Sequence, residues 1–209
     1  MIVTPIIQEK KVFNYIILDA ARLYGELNKA KSLASTFSCL YKGKSEQTLS
    51  EVAPYLFCCD WNSPLANWVL HEGWALARGY FIQSILPFDE IYKHLRKFLM
   101  VADESGKRLY FRFYDPRVLR IFLPVCDKQQ IVQFFGPIDK FIVEGDNSQE
   151  AIVYTHDNGI LKQQRITVES MVGTGDDSVV PDFLSVKKRR NIIIEEDLLN
   201  EKPNHLHKY

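Results

Sequence analysis

Short runs of β-branched and aromatic residues alternate with helix-start signals along most of this chain, and this alternation constrains the fold most strongly. Ser63-Pro64 and Asp115-Pro116 each place a capping side chain before a proline, a combination typical of the first turn of a helix. Asp127 is a further N-cap, and Gly136-Pro137 ends the helix that it begins. The sequence therefore predicts an α/β fold (mixed α+β) in which helices pack on a sheet.

The predicted strands and helices follow each other closely over the first part of the chain. Strands are predicted at residues 12–18, 37–41, 53–58, 79–86, 98–102 and 109–114, and helices at residues 22–34, 63–73, 87–97, 115–122 and 127–135. The turn around Gly106 favours pairing of the last two strands.

After Pro137 the pattern changes to strands and turns. Strands are predicted at residues 138–143, 151–155 and 160–168, with Asp157-Asn158-Gly159 as a hairpin turn. We predict three parts: an α/β lobe over residues 1–138, a β-rich appendage with a hairpin over residues 139–172, and a tail over residues 173–209. The sequence leaves open whether this polar tail is ordered by itself or on a partner.

The charge balance argues against nucleic acid as a partner. Lys plus Arg and Asp plus Glu each number 26 in 209 residues, so no overall field attracts phosphates. The basic run at residues 187–190 precedes an acidic run at residues 195–197, a pattern typical of a solvated segment. A nucleic-acid-binding regulator that uses residues 187–190 remains an alternative.

Neither a membrane span nor a secretion signal is predicted. The sequence has no uncharged apolar stretch near the roughly 18 residues that a membrane helix needs. Charged residues interrupt the first twenty positions, so a signal peptide is not expected. Apart from one adjacent pair the cysteines are scattered, and adjacent cysteines rarely close a disulfide. We therefore expect reduced thiols and a cytoplasmic protein that does not bind membranes.

Catalytic signatures are incomplete. Gly43-Lys44-Ser45 ends like a phosphate-binding loop, but Ser38 occupies the position of the required first glycine. His71-Glu72 begins like a zinc-protease helix, but Ala75 replaces the second histidine ligand. We expect no catalysis, no cofactor and no metal. The alternative is a small hydrolase or thiol enzyme that uses Cys58, Cys59 or His71.

Three tryptophans surround one predicted helix. Trp68 lies on its apolar side, while Trp61 and Trp74 lie at its ends. All three are interpreted either as core residues or, for the two at the ends, as anchors for a partner, because Trp, Tyr and Arg dominate interface hot spots.

The run at residues 111–119, Phe-Arg-Phe-Tyr-Asp-Pro-Arg-Val-Leu, resembles a protein family. It is similar to the adaptor family of bacterial type VI secretion systems, long catalogued as a domain of unknown function. The resemblance covers residues 13–138, and its most specific part is the run at residues 112–117. Other matching segments occur in the same order, at residues 15–21, 40–43, 53–56, 73–74, 95–99 and 134–138.

The resemblance implies a non-enzymatic adaptor and chaperone in the cytoplasm. Members bind a secreted effector protein and tether it to the valine-glycine-repeat spike protein for export. Their C-terminal portions vary with the cargo, and the corresponding portion is short here. Which effector and spike would bind, which face would receive each, and the oligomeric state remain open.

The motif can also be interpreted from its residues. Alternation along a strand would direct Arg112 and Tyr114 to one face, Asp115 would cap the next helix, and Arg117 would lie within reach of Asp115. This arrangement is either a structural corner or a polar and aromatic surface for the spike or effector. The candidate partner-binding residues are Trp61, Trp74, Arg112, Tyr114, Asp115 and Arg117.

Overall fold

The computed structural model of the chain describes residues 11–102 and 105–171. The predicted tail at residues 173–209, including the basic run at residues 187–190, lies outside the described residues. The strands of this part are β1 (Phe13–Asp19), β2 (Phe37–Cys39), β3 (Pro54–Cys59), β4 (Gly79–Ser84), β5 (Met100–Ala102), β6 (Arg108–Tyr110), β7 (Lys140–Glu144), β8 (Glu150–Asp157) and β9 (Ile160–Thr167). The α-helices are α1 (Leu27–Ser32), α2 (Lys44–Leu49), α3 (Pro64–Trp68), α4 (Phe88–Arg96), α5 (Pro116–Val125) and α6 (Lys128–Phe135).

Seven of these strands form one antiparallel sheet in the order β2-β3-β1-β4-β7-β8-β9. The short strands β5 and β6 pair separately, as the turn around Gly106 predicts. The mixed α/β fold predicted from the sequence is confirmed.

The central strand β1 packs against helices on both faces of the sheet. Ile16 and Leu18 contact the apolar cluster that includes α1 and α3. Tyr15 and Ile17 contact the opposite cluster, formed with α4, α5 and α6. Because both faces are covered, β1 has an almost continuous apolar sequence instead of a polar alternation.

The starts of α3, α5 and α6 are those that the capping residues Ser63, Asp115 and Asp127 predict. Ser63 accepts a hydrogen bond from the Ala66 amide at 3.2 Å, and Asp127 and Gln130 form a reciprocal capping box. One turn of π-helix, Val69–Gly73, follows α3. Within the described residues, no helix has both the length and the apolar character that a membrane crossing requires.

Helix α2 (Lys44–Leu49) was not predicted, and two predicted helices have different bounds. The helix expected over residues 22–34 divides into a 3₁₀ turn, Ala20–Arg22, and α1, because Tyr24 and Gly25 adopt left-handed φ angles of 50° and 94° between them. Helix α5 continues past Phe122 to Val125, with Pro124 inside its last turn.

The β-rich segment after Pro137 extends the sheet of the preceding lobe. β7 pairs with β4, and β8 and β9 form the predicted hairpin, whose turn residues Asn158 and Gly159 have φ angles of 51° and 83°. The domain boundary near residue 138 stays a prediction, but the sheet is continuous across it.

The pairing of β1 with β4 predicts a severe effect for Gly79→Ala. A Cβ atom at Gly79 would lie 1.9 Å from the Ile17 carbonyl oxygen, and this backbone atom belongs to the central strand. We expect the free energy of unfolding to fall by about 3 kcal/mol or more. Urea denaturation measures it. Gly73→Ala is the matched control, since its added carbon would meet the flexible Arg78 side chain at 3.6 Å. Equal stability of the two variants would contradict the register.

Candidate functional site

The Arg-Phe-Tyr-Asp-Pro-Arg run at residues 112–117 does not continue a strand. β6 ends at Tyr110, and the Asp115 amide donates to the Arg112 carbonyl at 3.0 Å, which closes a turn. This turn directs Phe113 and Tyr114 into the interior and leaves Arg112 exposed. The predicted alternation, with Arg112 and Tyr114 on one surface, is therefore wrong.

Two buried aspartates meet at this turn. Asp19 ends β1 and Asp115 precedes α5, and each side chain is only 1% exposed. Asp19 accepts a hydrogen bond from the Ala21 amide at 3.1 Å, and Asp115 accepts one from the Arg117 amide at 3.0 Å. Each aspartate thus caps the helical turn that follows it.

Two arginines neutralise these aspartates. Arg112 Nη2 lies 2.6 Å from Asp19 Oδ2, while Arg117 donates to both oxygens of Asp115 at 3.0 and 2.6 Å. Both arginine side chains remain about half exposed. We call these four residues the aspartate–arginine corner.

The two aspartates respond differently to burial. Burial raises the pKa of Asp19, and the hydrogen bond and charge of Arg112 offset part of this increase. Burial also acts to raise the pKa of Asp115, but the hydrogen bonds and charge of Arg117 outweigh it, so this pKa lies below its ordinary value. Asp115 and Arg117 therefore form a stable ion pair at neutral pH.

An open groove of about 380 Å³ lies beside the corner. The antiparallel strand order explains its position, because β1 ends, β4 begins and β7 ends at the same edge of the sheet. The groove is lined by Arg22, Tyr24, Ala75, Leu76, Ala77, Arg117, Arg120, Glu144, Gly145, Asp146 and Asn147.

Hydrogen bonds to Glu144 support an unusual backbone conformation of the loop before β4. Ala75 and Ala77 both have left-handed φ angles, 64° and 53°, which are unfavourable for residues other than glycine. The buried Glu144 carboxylate accepts a hydrogen bond from the Ala77 amide at 3.1 Å, and the Ala75 amide also donates to it. Burial raises the pKa of Glu144, while these amides act to lower it. Leu76 lies between the two alanines.

Exposed apolar side chains flank the arginines of the groove. Tyr24 is 74% exposed and Leu76 is 46% exposed, although both belong to backbone segments with fixed turns. On α5, the exposed Ile121 lies one turn after Arg117. Aromatic and aliphatic side chains next to arginines are typical of protein-binding surfaces.

The structure assigns most of the predicted site residues to packing. Trp61 stacks on Phe81 at 4.8 Å, and the indole of Trp74 is buried and donates to the Glu150 carbonyl at 3.1 Å. Tyr114 and Asp115 are also buried. Only Arg117 of the six lines the groove, and Arg112 is exposed at the neighbouring corner.

Sequence reasoning missed Arg22, Tyr24, Leu76 and Arg120. The Tyr24-Gly25 pair was the available signal, because glycine after an aromatic residue inside a predicted helix indicates a turn that exposes the ring. Leu76 carried no such signal, since its loop conformation depends on Glu144, which is distant in the sequence.

The residues of the alternative thiol enzyme lie apart. Cys58 packs towards the sheet face covered by α4, α5 and α6, whereas Cys59 is buried on the opposite face. His71 is exposed on the turn after α3, which packs on the face of Cys59. Burial raises the pKa of both thiols, the opposite of what a nucleophilic cysteine needs. Across residues 11–102 and 105–171, no group of three His, Cys, Asp or Glu side chains could hold a metal ion.

The corner predicts the effect of Arg112→Gln. Loss of the Arg112 guanidinium leaves the buried Asp19 carboxylate without a counter-charge. We expect the free energy of unfolding to fall by roughly 1–2 kcal/mol, a modest decrease because Arg112 is half exposed. The double variant Asp19→Asn/Arg112→Gln removes the buried charge and should recover most of this loss. Urea denaturation measures both, with Arg108→Gln as the exposed control. If the double variant lost the summed stability of the two single variants, the ion pair between Asp19 and Arg112 would be contradicted.

Comparison with known proteins gives one match. The family model described as "Domain of unknown function (DUF4123)" matches residues 14–133, more than half of the chain. The matched span runs from β1 into α6 and includes the whole aspartate–arginine corner. Neither the curated proteins nor the solved structures include a significant match. The chain belongs to the DUF4123 family.

Proposed function

We propose that this protein is a non-enzymatic adaptor and chaperone that binds an effector of a type VI secretion system and tethers it to the valine-glycine-repeat spike protein. The groove beside the aspartate–arginine corner carries this proposal, because it combines exposed Tyr24 and Leu76 with three arginines on fixed backbone. Membership in DUF4123, a family known in type VI effector loading, supports the adaptor role.

Such a role requires shape and contact area, without bond formation. The exposed apolar side chains of the groove supply contact area, and the fixed loop before β4 reduces the entropy that is lost on binding. Glu144 and the corner keep this surface in place before any partner arrives.

An adaptor needs a second surface to hold two partners at once. β9 is the last strand of the sheet, and within the described residues it pairs only with β8. Its outer edge lies on the predicted β-rich part, whereas the groove lies mainly on the preceding lobe. Two separate contact surfaces would let the effector and the spike protein bind at the same time, and any contact between these two partners would then be favoured by their effective concentration.

Loading before export places the adaptor in the cytoplasm. All four cysteines are free, as expected in a reducing compartment. In this proposal neither nucleic acid nor a membrane is a partner.

The groove predicts the outcome of a capture experiment. We expect the tagged full chain, co-expressed with candidate effector and spike proteins from the same genome, to retain one of each at micromolar concentration. Tyr24→Ala combined with Leu76→Ala removes the apolar contacts of the groove and should lower retention of one partner at least about tenfold. Quantified affinity purification measures the retained fraction.

Tyr110→Ala is the matched control, because Tyr110 is an exposed tyrosine on β6 that does not line the groove. It should retain both partners as the wild type does. If the wild type retained neither protein, the adaptor proposal would be wrong. If the control lost as much binding as the groove variant, the groove would not be the binding surface.

A further inference from the structure

One cation at the groove has no counter-charge in the described part of the chain. The partly exposed Arg22 donates through Nε and Nη2 to the Leu76 carbonyl oxygen, at 3.4 and 3.0 Å, and forms no ion pair with any described residue. A guanidinium group carries five N–H donors, so the neutral carbonyl leaves several of them available. The Leu76 carbonyl also fixes the orientation of this guanidinium group at the groove.

The other two arginines of the groove already have acidic neighbours. Arg117 is bound by Asp115 through two hydrogen bonds. Arg120 donates to the backbone carbonyls of Glu144 and Gly145 and lies 3.7 Å from Asp146.

The two acidic side chains that line the groove are occupied as well. Glu144 accepts from the amides of the loop before β4. Asp146 is also 3.1 Å from Arg165. Glu144 is buried, so among the described residues that line the groove Arg22 is the accessible charged side chain that forms no ion pair.

The surroundings of Arg22 indicate the kind of anion that fits. Tyr24 and Leu76 are exposed on the same groove, so a carboxylate that reaches Arg22 carries its neighbouring groups across apolar surface. A small free anion would leave this apolar surface in water. A peptide segment with an acidic side chain between aliphatic residues would cover it and would pair with Arg22.

We infer that the groove binds an acidic–aliphatic segment of a protein partner, with a side-chain carboxylate of that segment received by Arg22 and its aliphatic neighbours packed on Tyr24 and Leu76. This inference rests on the proposed function, for which it names the chemistry of the bound partner.

The test uses the full chain and a defined probe. The immobilised protein selects from a displayed library of random peptides, and the enriched peptides are synthesised with a fluorescent label. We expect enrichment of Asp or Glu beside Leu, Ile or Val. Fluorescence polarisation then gives Kd for the wild type, for Arg22→Gln and for the control Arg108→Gln, an exposed arginine outside the groove.

A double-mutant cycle identifies the ion pair. Arg22→Gln should weaken binding about tenfold, and replacing the acidic residue of the peptide by its amide should weaken binding by a similar factor. When the Arg22→Gln variant binds the amide-substituted peptide, Kd should be little higher than for either change alone, because each change already removes the ion pair. Arg108→Gln should leave Kd unchanged.

The inference would be overturned if the selection enriched no peptide, or only peptides without an acidic residue. It would also be overturned if the two changes of the cycle raised Kd independently, or if Arg108→Gln raised Kd as much as Arg22→Gln. If the effector or spike is nevertheless retained by the wild type in the capture experiment, the adaptor function stands and only the acidic specificity fails. If neither protein is retained, the adaptor function fails separately.

Discussion

Two buried carboxylates, each neutralised by an arginine, join the end of the central strand to the start of α5. Burying an aspartate is costly unless a charge and hydrogen bonds compensate for it. Asp19 and Asp115 each receive both, from Arg112 and Arg117 and from the amides that they cap. Asp115 is satisfied within the start of α5 by Arg117, whereas Asp19 is neutralised only when β1 and the turn at Arg112 are assembled together. The corner therefore links folding of the lobe to the position of its exposed arginines.

The strand order of the sheet places the groove beside the aspartate–arginine corner. Since β1, β4 and β7 are antiparallel neighbours, the turn after β1, the loop before β4 and the turn after β7 meet at one edge. Glu144 at the end of β7 binds the amides of the loop before β4, and Arg22 in the turn after β1 binds the carbonyl of Leu76 in that loop. The groove is thus formed by hydrogen bonds between segments that are far apart in the sequence.

Local chemistry was predictable from the sequence. Asp115, Pro116 and Arg117 lie within three positions, so their capping and ion-pair geometry follows from spacing alone, and the observed contacts confirm it. The hairpin at Asn158 and Gly159 was predictable for the same reason, because its turn residues determine its conformation. The resemblance that the Arg-to-Arg run carries is confirmed at the level of the family.

Long-range contacts were not predictable in this way. Trp74 looked available to a partner, but its indole binds the Glu150 carbonyl, a group 76 positions away. Tyr114 looked exposed because a strand was assumed to continue, whereas the turn at Asp115 buries it near Tyr41. Arg22 and Leu76 lie together only because of the strand order, which cannot be predicted from a local sequence pattern.

The central claim is that this protein acts through the groove beside the corner. Hydrogen–deuterium exchange of the full chain, with and without the partner that co-expression captures, tests it directly. If the groove binds the partner, exchange should slow on binding in residues 20–25, 74–78, 116–121 and 144–147, with little change in β5 and β6. Protection confined to β5, β6 or α2, with these four segments unchanged, would contradict it.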